Sequence, residues 1–503
     1  MHRLRTLLLI GSLIPLAACG ADDVASPGEG TLVTPPPSSG GGGGGGGTTP
    51  PPTGGAAASC PSGTADRGVV NSRRNCEVSG TITGNRLIQN LPGVVYSLAG
   101  RVQVGTDCGP NPQAPLAGCQ TGSLTIDPGV VMFGSGGLDF LIVNRGSQIF
   151  AEGTQNSPII FTSLQNIQGT ATDTSIGQFG GLVILGRAPI QQCSQPGVAG
   201  GSIDCQAQVE GTTGFYGGAT INDNSGRLRY VQVRYPGFEV SPGNELNGIT
   251  LAGVGSGTTM ERVQVHNSSD DGIEWFGGTV NGRYLIVTGA DDDSLDTDFG
   301  YKGANQFVLV SQRSNGGDRV IEADTPGNGN ATPRSFPKFA NATFVGRRNA
   351  DALLLRGGTD FALINSVVTA PGICLDIDDP SITAQGANTA LDEAGPPIFR
   401  STFFSCPTPF RDEADISGAA IGQIFAGTNT IANGTSTLQS VFVNGTNENQ
   451  VTPLTAAQLT AISPFFQFAP KIGAFRDAGD LWFQGWACGL GFGTPSCTAN
   501  PAA

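Results

Sequence analysis

The stretch "VQVHNSSDDGIEWFGG", Val263–Gly278, is soon followed by "LIVTGADDDSLDTDFG", Leu285–Gly300. Laid over one another, the two match Val263 to Leu285, Asp270 to Asp292, Ile273 to Leu295 and Gly278 to Gly300, each 22 residues on. "GITLAGVG" (Gly248–Gly255), "RVIEADTPG" (Arg319–Gly327), "ALLLRGG" (Ala352–Gly358) and "GICLDID" (Gly372–Asp378) repeat the phrase with insertions. Short apolar runs between Gly, Asn and Asp corners, at a period in the low twenties, are the coils of a β-solenoid. Stacked coils pair their strands in parallel without a crossover helix for each strand.

Side chains of a strand alternate between faces. Ile273, Leu295, Ile321 and Leu353 therefore form one inward column, and Trp275, Thr297, Ala323 and Leu355 a second. The intervening positions are expected to point outward: Thr250, Glu274, Asp296, Glu322 and Leu354 in one stack, Ala252, Phe276, Asp298, Asp324 and Arg356 in the next. Coils rise by ~4.8 Å, so Glu274, Asp296, Asp298, Glu322 and Asp324 should share one outer face with Arg356 at its edge. Like charges so stacked repel. The segment Ser268–Gly300 holds eight carboxylates against one cation, Arg283. Asp270, Asp271, Asp292 and Asp293 fall in the corner before the strand, where Asp is an ordinary turn former.

Three readings of the strand acids stand side by side. Asp296, Asp298, Glu322 and Asp324 supply the oxygen-rich geometry that Ca²⁺ requires. Arg356, Arg319 and Lys302 could instead neutralise the patch. A glycan-cleaving site is the third reading, either a lyase with Ca²⁺ on Asp296, Asp298, Glu322 and Asp324 and Arg356, Lys302 or Arg319 as base, or a hydrolase with Glu274, Asp296 and Glu322 as its paired acid and base carboxylates.

Composition narrows the class. The chain has 503 residues with Gly at 77, charged residues at 13% and a formal net charge of −14. Such a surface is a poor match for nucleic acid, which asks for a basic face, and suits a cation, a basic protein patch or a neutral glycan. The only histidine beyond the N-terminal segment, His266, is expected at the surface with a polar partner, with Asp270 or Asp271 close by. No GxSxG, P-loop or dinucleotide fingerprint occurs, and "GVGSGTT" lacks the strand-to-helix context of a phosphate cradle.

The first residues predict export. "MHRLR" is a basic start and "TLLLIGSLIPLAA" an apolar run too short to span a bilayer. It ends in "LAAC", Leu16–Cys19, which resembles the lipobox of bacterial lipoproteins. The resemblance implies a signal peptide over 1–18, acylation of Cys19 with palmitate-type chains and, with Gly20 next, an outer-membrane destination, exposed at the cell surface or released. Residues 19–59, rich in Gly and Pro, read as a disordered tether whose ends lie roughly 35 Å apart. The other ten cysteines fall as near neighbours, Cys60/Cys76, Cys108/Cys119, Cys193/Cys205, Cys374/Cys406 and Cys488/Cys497, as loop-stapling disulfides would. Zinc is the rival, but no CxxC occurs.

The phrasing of "GSLTIDPGVVMFGSGGLDFLIVNRGSQIFAEGTQNSPIIFTS" (Gly122–Ser163), "GGLVILGRAPI", "GRLRYVQVRYPG" and "NELNGITLAGVGSGTTMERVQV" resembles a widespread group of secreted and lipid-anchored bacterial proteins. That resemblance implies an all-β, right-handed parallel β-helix, here expected over 60–450. It supports fold and compartment, since the group lacks an agreed activity. Lipoproteins of this build accompany outer-membrane transport systems, which makes a TonB-dependent receptor an expected partner beside a surface glycan. Residues 451–503, with "LTAAQLTAI" and Phe465, Phe466, Trp482 and Trp486, are expected to form a small C-terminal cap over the open end of the solenoid. A binding or scaffold role is thus expected first. A β-helix polysaccharide-active enzyme, a Ca²⁺-dependent lyase or a carboxylate-pair hydrolase, is the alternative.

Overall fold

A computed structural model describes residues 55–326 and 329–501. The signal peptide, Cys19 and most of the tether expected at 19–59 lie outside the described residues. The body is a right-handed parallel β-helix whose strands join in one 26-stranded sheet wound on itself.

Register follows the repeat. Ile273 pairs with Leu295, Leu295 with Ile321, Ile321 with Leu353 and Leu353 with Leu375, in parallel, and all five are fully buried. Val263 likewise pairs with Leu285. One flank of the coil is a parallel ladder running from Phe140–Val143 through Gly181–Leu185, Ile249–Ala252, Ile273–Phe276, Leu295–Asp298, Ile321–Ala323 and Asp351–Leu355 to Ile373–Ile377 and Thr408–Phe410. The inward side chains of all the coils merge into a single apolar core.

The other two flanks share longer strands: Gly226–Arg234, Thr259–His266, Asn281–Thr288, Ala304–Ser311 and Lys338–Val345. Each turns a corner at one residue with left-handed backbone: Tyr230, Arg262, Tyr284, Phe307 and Asn341, with φ between 50 and 59°. That conformation costs a non-glycine residue about 1 kcal/mol or more. Stacking offsets it. The Arg262 guanidinium lies 5.1 Å from the Tyr230 ring and 4.4 Å from that of Tyr284, and Tyr284 stacks on Phe307 at 4.8 Å.

All five expected disulfides are present: Cys60–Cys76, Cys108–Cys119, Cys193–Cys205, Cys374–Cys406 and Cys488–Cys497. Two segments, 186–225 and 235–246, on either side of the coil strand Gly226–Arg234, leave the coil and fold over its outer face. There Ile190, Cys205, Val209, Tyr216 and Leu246 cover the outward apolar residues Phe140, Ile142, Val183, Leu185 and Phe276. The solenoid is therefore clothed on the flank that carries these outward apolar residues.

The C-terminal covering divides in two. The helix Gly418–Phe425 closes the end, with Phe425 packed 4.3 Å from Phe404 and 5.2 Å from Phe399. The aromatics expected to cap instead return along the side. The helix Ala456–Ile462 forms as the sequence suggests, closed by a Thr455/Gln458 capping box. The strap then crosses coil after coil. Asn341 donates to the Lys471 carbonyl (2.8 Å), Gln306 to that of Gln467 (2.7 Å), Gln264 to that of Cys488 (2.9 Å) and Asn166 to that of Cys497 (3.1 Å). Outward amides pair with strap carbonyls because the strap excludes water from this face, and buried polar groups need partners.

Trp486 pins this strap: it is almost fully buried, and its indole ring meets Tyr230 edge-on at 6.1 Å. Trp486→Ala is expected to cost about 3–5 kcal/mol in denaturant unfolding while leaving the far-ultraviolet spectrum of the coils intact. A loss below 1 kcal/mol would show that the strap adds nothing to the body.

Candidate functional site

Glu274, Asp296 and Glu322 occupy consecutive rungs of one column, Thr250 preceding and Leu354 following. Asp298 and Asp324 follow two positions on, the Asp324 amide donating to the Thr297 carbonyl. The acid ladder read from the repeat is therefore real, and it faces away from the apolar interior. It is not, however, an open face: all five side chains are buried. The segments 186–225 and 235–246 bring Glu210 and Glu245 into the lining over the ladder, and Asn247, one coil before Asp271, donates its side-chain amide to Glu274.

The result is a recess of about 270 Å³ lined by twelve carboxylates. Beside the five ladder acids stand Glu210 and Glu245 from the covering segment and Asp270, Asp271, Asp292, Asp293 and Asp318 from the corners. Two guanidiniums, Arg319 and Arg356, are the cations in its lining. The corner acids, expected to serve only their turns, do both. Asp271 accepts the Asp293 amide at 2.9 Å, yet Asp270, Asp271 and Asp293 are buried against the ladder.

Neutralisation is uneven. Arg356 pairs with Glu322 and, at 3.1 Å, with Asp324. Arg319 pairs with Asp318 and, at 3.0 Å, with Glu322. The C-terminal half of the recess is thus balanced by the two arginines, and this splits the four residues expected to share an ion. Away from the arginines, oxygen atoms converge within 4.8 Å of one another in the sets Asp270–Asp271–Asp292 and Asp271–Glu274–Asp296, and a third set, Asp292–Asp293–Asp318, borders Arg319, which holds Asp318. Asp296 belongs to these sets. Asp298 lines the recess beside them, and Glu322 and Asp324 belong to the arginines.

Burial pushes the carboxyls of Asp270, Asp271, Glu274, Asp293, Asp296 and Asp298 well above their ordinary range, and the negative neighbours push further. Burial is also the main cause at Glu210, raised to about 7. At Glu322 and Asp324 burial raises the value while Arg356 pulls it back. Two acceptor oxygens stand out. Glu274, 2% exposed, receives Asn247 Nδ2 on one oxygen, and its other oxygen, Oε1, is buried without a hydrogen-bond partner. Asn247, 1% exposed, has its own Oδ1 in the same condition. An unpartnered buried acceptor costs about 1–3 kcal/mol, and both of these line the recess.

Two expected participants lie elsewhere. Lys302 pairs with Asp392 at 2.6 Å and is not part of the recess lining, because the chain after Phe299 turns away from the ladder before reaching it. His266 is not beside Asp270 or Asp271 in the recess. Its Nδ1 meets Thr288 Oγ1 at 2.8 Å, its ring meets Tyr235 edge-on, and burial with Arg234 and Arg313 nearby lowers it to about 3. It is neutral at physiological pH. Glu210 and Glu245 sit in segments without the coil's periodicity, whereas Asn247 and Asp318 stand on the repeat, two and three residues before Ile249 and Ile321, and were not singled out from it.

With this geometry in view, comparison with known sequences gives one match. Residues 113–399 match a family described as a pectate-lyase like beta helix domain. Neither the curated proteins nor the solved structures contain a match to the chain. The matched segment is more than half of the chain and spans the whole acidic recess. The chain belongs to the pectate-lyase-like β-helix domain family.

Proposed function

We propose that the chain is a calcium-binding β-helix of the bacterial cell envelope, acting as a binding or assembly component, with Ca²⁺ held in the acidic recess. The observation that carries this reading is the pair of unpartnered buried acceptors, Glu274 Oε1 and Asn247 Oδ1, inside a recess of twelve carboxylates and two guanidiniums. Acceptors without donors, surrounded by uncompensated negative charge, are what a bound cation would satisfy. The donor set is all oxygen, which favours Ca²⁺ over Zn²⁺, and Ca²⁺ takes six to eight such atoms at ~2.3–2.6 Å. Asp271, Glu274, Asp296 and Asn247 would supply the first of them. Envelope placement rests on the LAAC sequence at Cys19 and on the five disulfides, which fit an oxidising compartment. An outer-membrane receptor or a surface glycan is the partner this placement suggests.

The family match favours a second reading, a Ca²⁺-dependent polysaccharide lyase. Such an enzyme needs a basic side chain free to take a proton. Arg319 and Arg356 are both engaged with carboxylates, and Lys302 is held by Asp392. The recess, at about 270 Å³, also lies just below the range of ordinary ligand pockets, roughly 300–1,000 Å³. It offers room for ions and water more readily than for an oligosaccharide.

Calcium titration by calorimetry on protein freed of metal with chelator tests the first reading. Binding heat is expected, and at a hundredfold excess over the dissociation constant Ca²⁺ should add about 2.7 kcal/mol of stability. Asp296→Asn/Asp298→Asn should weaken binding at least tenfold. In chelator the same change should raise the melting temperature by about 2 °C at pH 8, since it removes buried like charges. No heat, together with a lower melting temperature for the variant, would mean that the acids are merely structural.

Protons compete for the same oxygens. The raised carboxyls favour the folded state while protonated, so their contribution is complete below about pH 4 and is lost as pH rises through their folded values, about 7 for Glu210. In chelator the protein should therefore melt lower at pH 8 than at pH 5.5. Saturating Ca²⁺ should narrow or reverse that difference, and parallel pH profiles with and without Ca²⁺ would contradict the proposal.

A further inference from the structure

The column of acids does not end at Glu322. Leu354 follows it, and Asp376 pairs in register below Leu354. In the neighbouring column the order is Asp298, Asp324, Arg356 and Asp378, the Asp378 amide donating to the Leu355 carbonyl as that of Asp324 does to Thr297. One rung bearing Leu354 and Arg356 thus separates the recess from a second acidic rung, Asp376 and Asp378. Two rises of ~4.8 Å put this rung roughly 10 Å beyond Glu322.

A third carboxylate meets that rung from outside the ladder. Glu413 lies past the last coil strand, Thr408–Phe410, and its amide donates to Ile416 O just before the capping helix Gly418–Phe425. Oxygens of Asp376, Asp378 and Glu413 lie within 4.8 Å of one another. Arg411 pairs with Asp351, with Asp376 at 2.7 Å and with Glu413 at 3.7 Å, one guanidinium against three carboxylates, and Asp378 adds a fourth. Proximity of acids alone would not make a site. Asp376 supplies the second observation: it is 4% exposed, Arg411 occupies one of its oxygens, and Oδ1 is buried with no hydrogen-bond partner. A buried carboxylate oxygen in that state calls for a donor or a cation.

We infer that Asp376, Asp378 and Glu413 form a second divalent-cation site, distinct from the recess, that ties the last acidic rung of the ladder to the segment carrying the capping helix. The ion is Ca²⁺ by the all-oxygen donor set, with water completing its shell. Glu413 is half-exposed, so the site opens to solvent and loads without unfolding. Three carboxylates with an arginine among them make a modest site, in the range of ~10⁻⁴–10⁻³ M typical of extracellular modules. Its consequence is mechanical. Without the ion, Glu413 and Asp378 repel, and the cap is held to the coil by apolar packing, Ile421 in the core and Phe425 against Phe399 and Phe404.

Hydrogen exchange at the amides of Ile421–Phe425, read at millimolar Ca²⁺ and in chelator, tests the site. Ca²⁺ should slow exchange there about tenfold in the wild-type chain and in Asp296→Asn/Asp298→Asn. Glu413→Gln should abolish the slowing while keeping the calorimetric heat of the recess. Asp376→Asn, buried and more exposed to folding damage, serves as the second variant and should behave as Glu413→Gln does. Exchange at the cap that ignores Ca²⁺ in the wild type, or slowing that persists in Glu413→Gln, would overturn the inference. Slowing lost in Asp296→Asn/Asp298→Asn would show that the recess alone governs the cap, and would overturn it as well. Failure of the recess reading shows separately, as an unchanged heat in that double variant.

Discussion

Parallel stacking in strict register is the constraint from which the rest of this molecule follows. When Ile273 sits over Leu295 and Leu295 over Ile321, every other position in those strands is stacked too. For apolar residues the consequence is one continuous core. For acids it is a column of like charges a single strand spacing apart, which no change of rotamer can disperse. An antiparallel sheet could alternate the sign across the pair. A solenoid of similar coils cannot do so without changing the repeat. Arg356, on the rung after Asp324, is such a change, and it balances only its own neighbours.

The covering segment turns that constraint into a site. An acid ladder open to water would be screened and partly hydrated. Here Glu210 and Glu245 close over it, beside Asn247 of the preceding coil, raising the cost of each charge and adding two more carboxylates. A cover evolved only for stability would bring Arg or Lys to such a place. This one brings acids and an amide, leaving an amide oxygen and a carboxylate oxygen without donors. Elsewhere on the same flank the same excursion behaves as an ordinary cover, with Ile190, Val209 and Tyr216 over Phe140, Val183 and Phe276. The contrast between the two halves of one covering surface is why the recess reads as a cation site.

Much of this was legible in the residues. The offset between Val263 and Leu285 gave the coil, its alternation gave the inward columns, and cysteine spacing paired the disulfides. Sequence periodicity reports only what repeats. Glu210 reaches the ladder from the segment 186–225 and Glu245 from the segment before Ile249–Ala252, contacts with no local signature, while Asn247 stands on the repeat two residues before Ile249, as Asp271 does before Ile273. For the same reason the acids looked solvent-facing. Asp270, Asp271 and Asp293 were legible as turn residues and are that, but the cover makes them recess residues as well. Lys302 lay near the acids in sequence and went to Asp392 instead. The C-terminal aromatics announced a covering role without saying which surface they covered. The end needed only Phe425 and its helix, which left Trp482 and Trp486 free to meet the ring stack along the side.

The most direct measurement of the central claim is an anomalous difference map from crystals of the body grown with Ca²⁺, collected at long wavelength. A density peak within ~2.3–2.6 Å of oxygens from Glu274 and Asp296 is the predicted result. A map without a peak there, and with Glu274 Oε1 in hydrogen-bond contact with a protonated neighbour at neutral pH, would contradict the account.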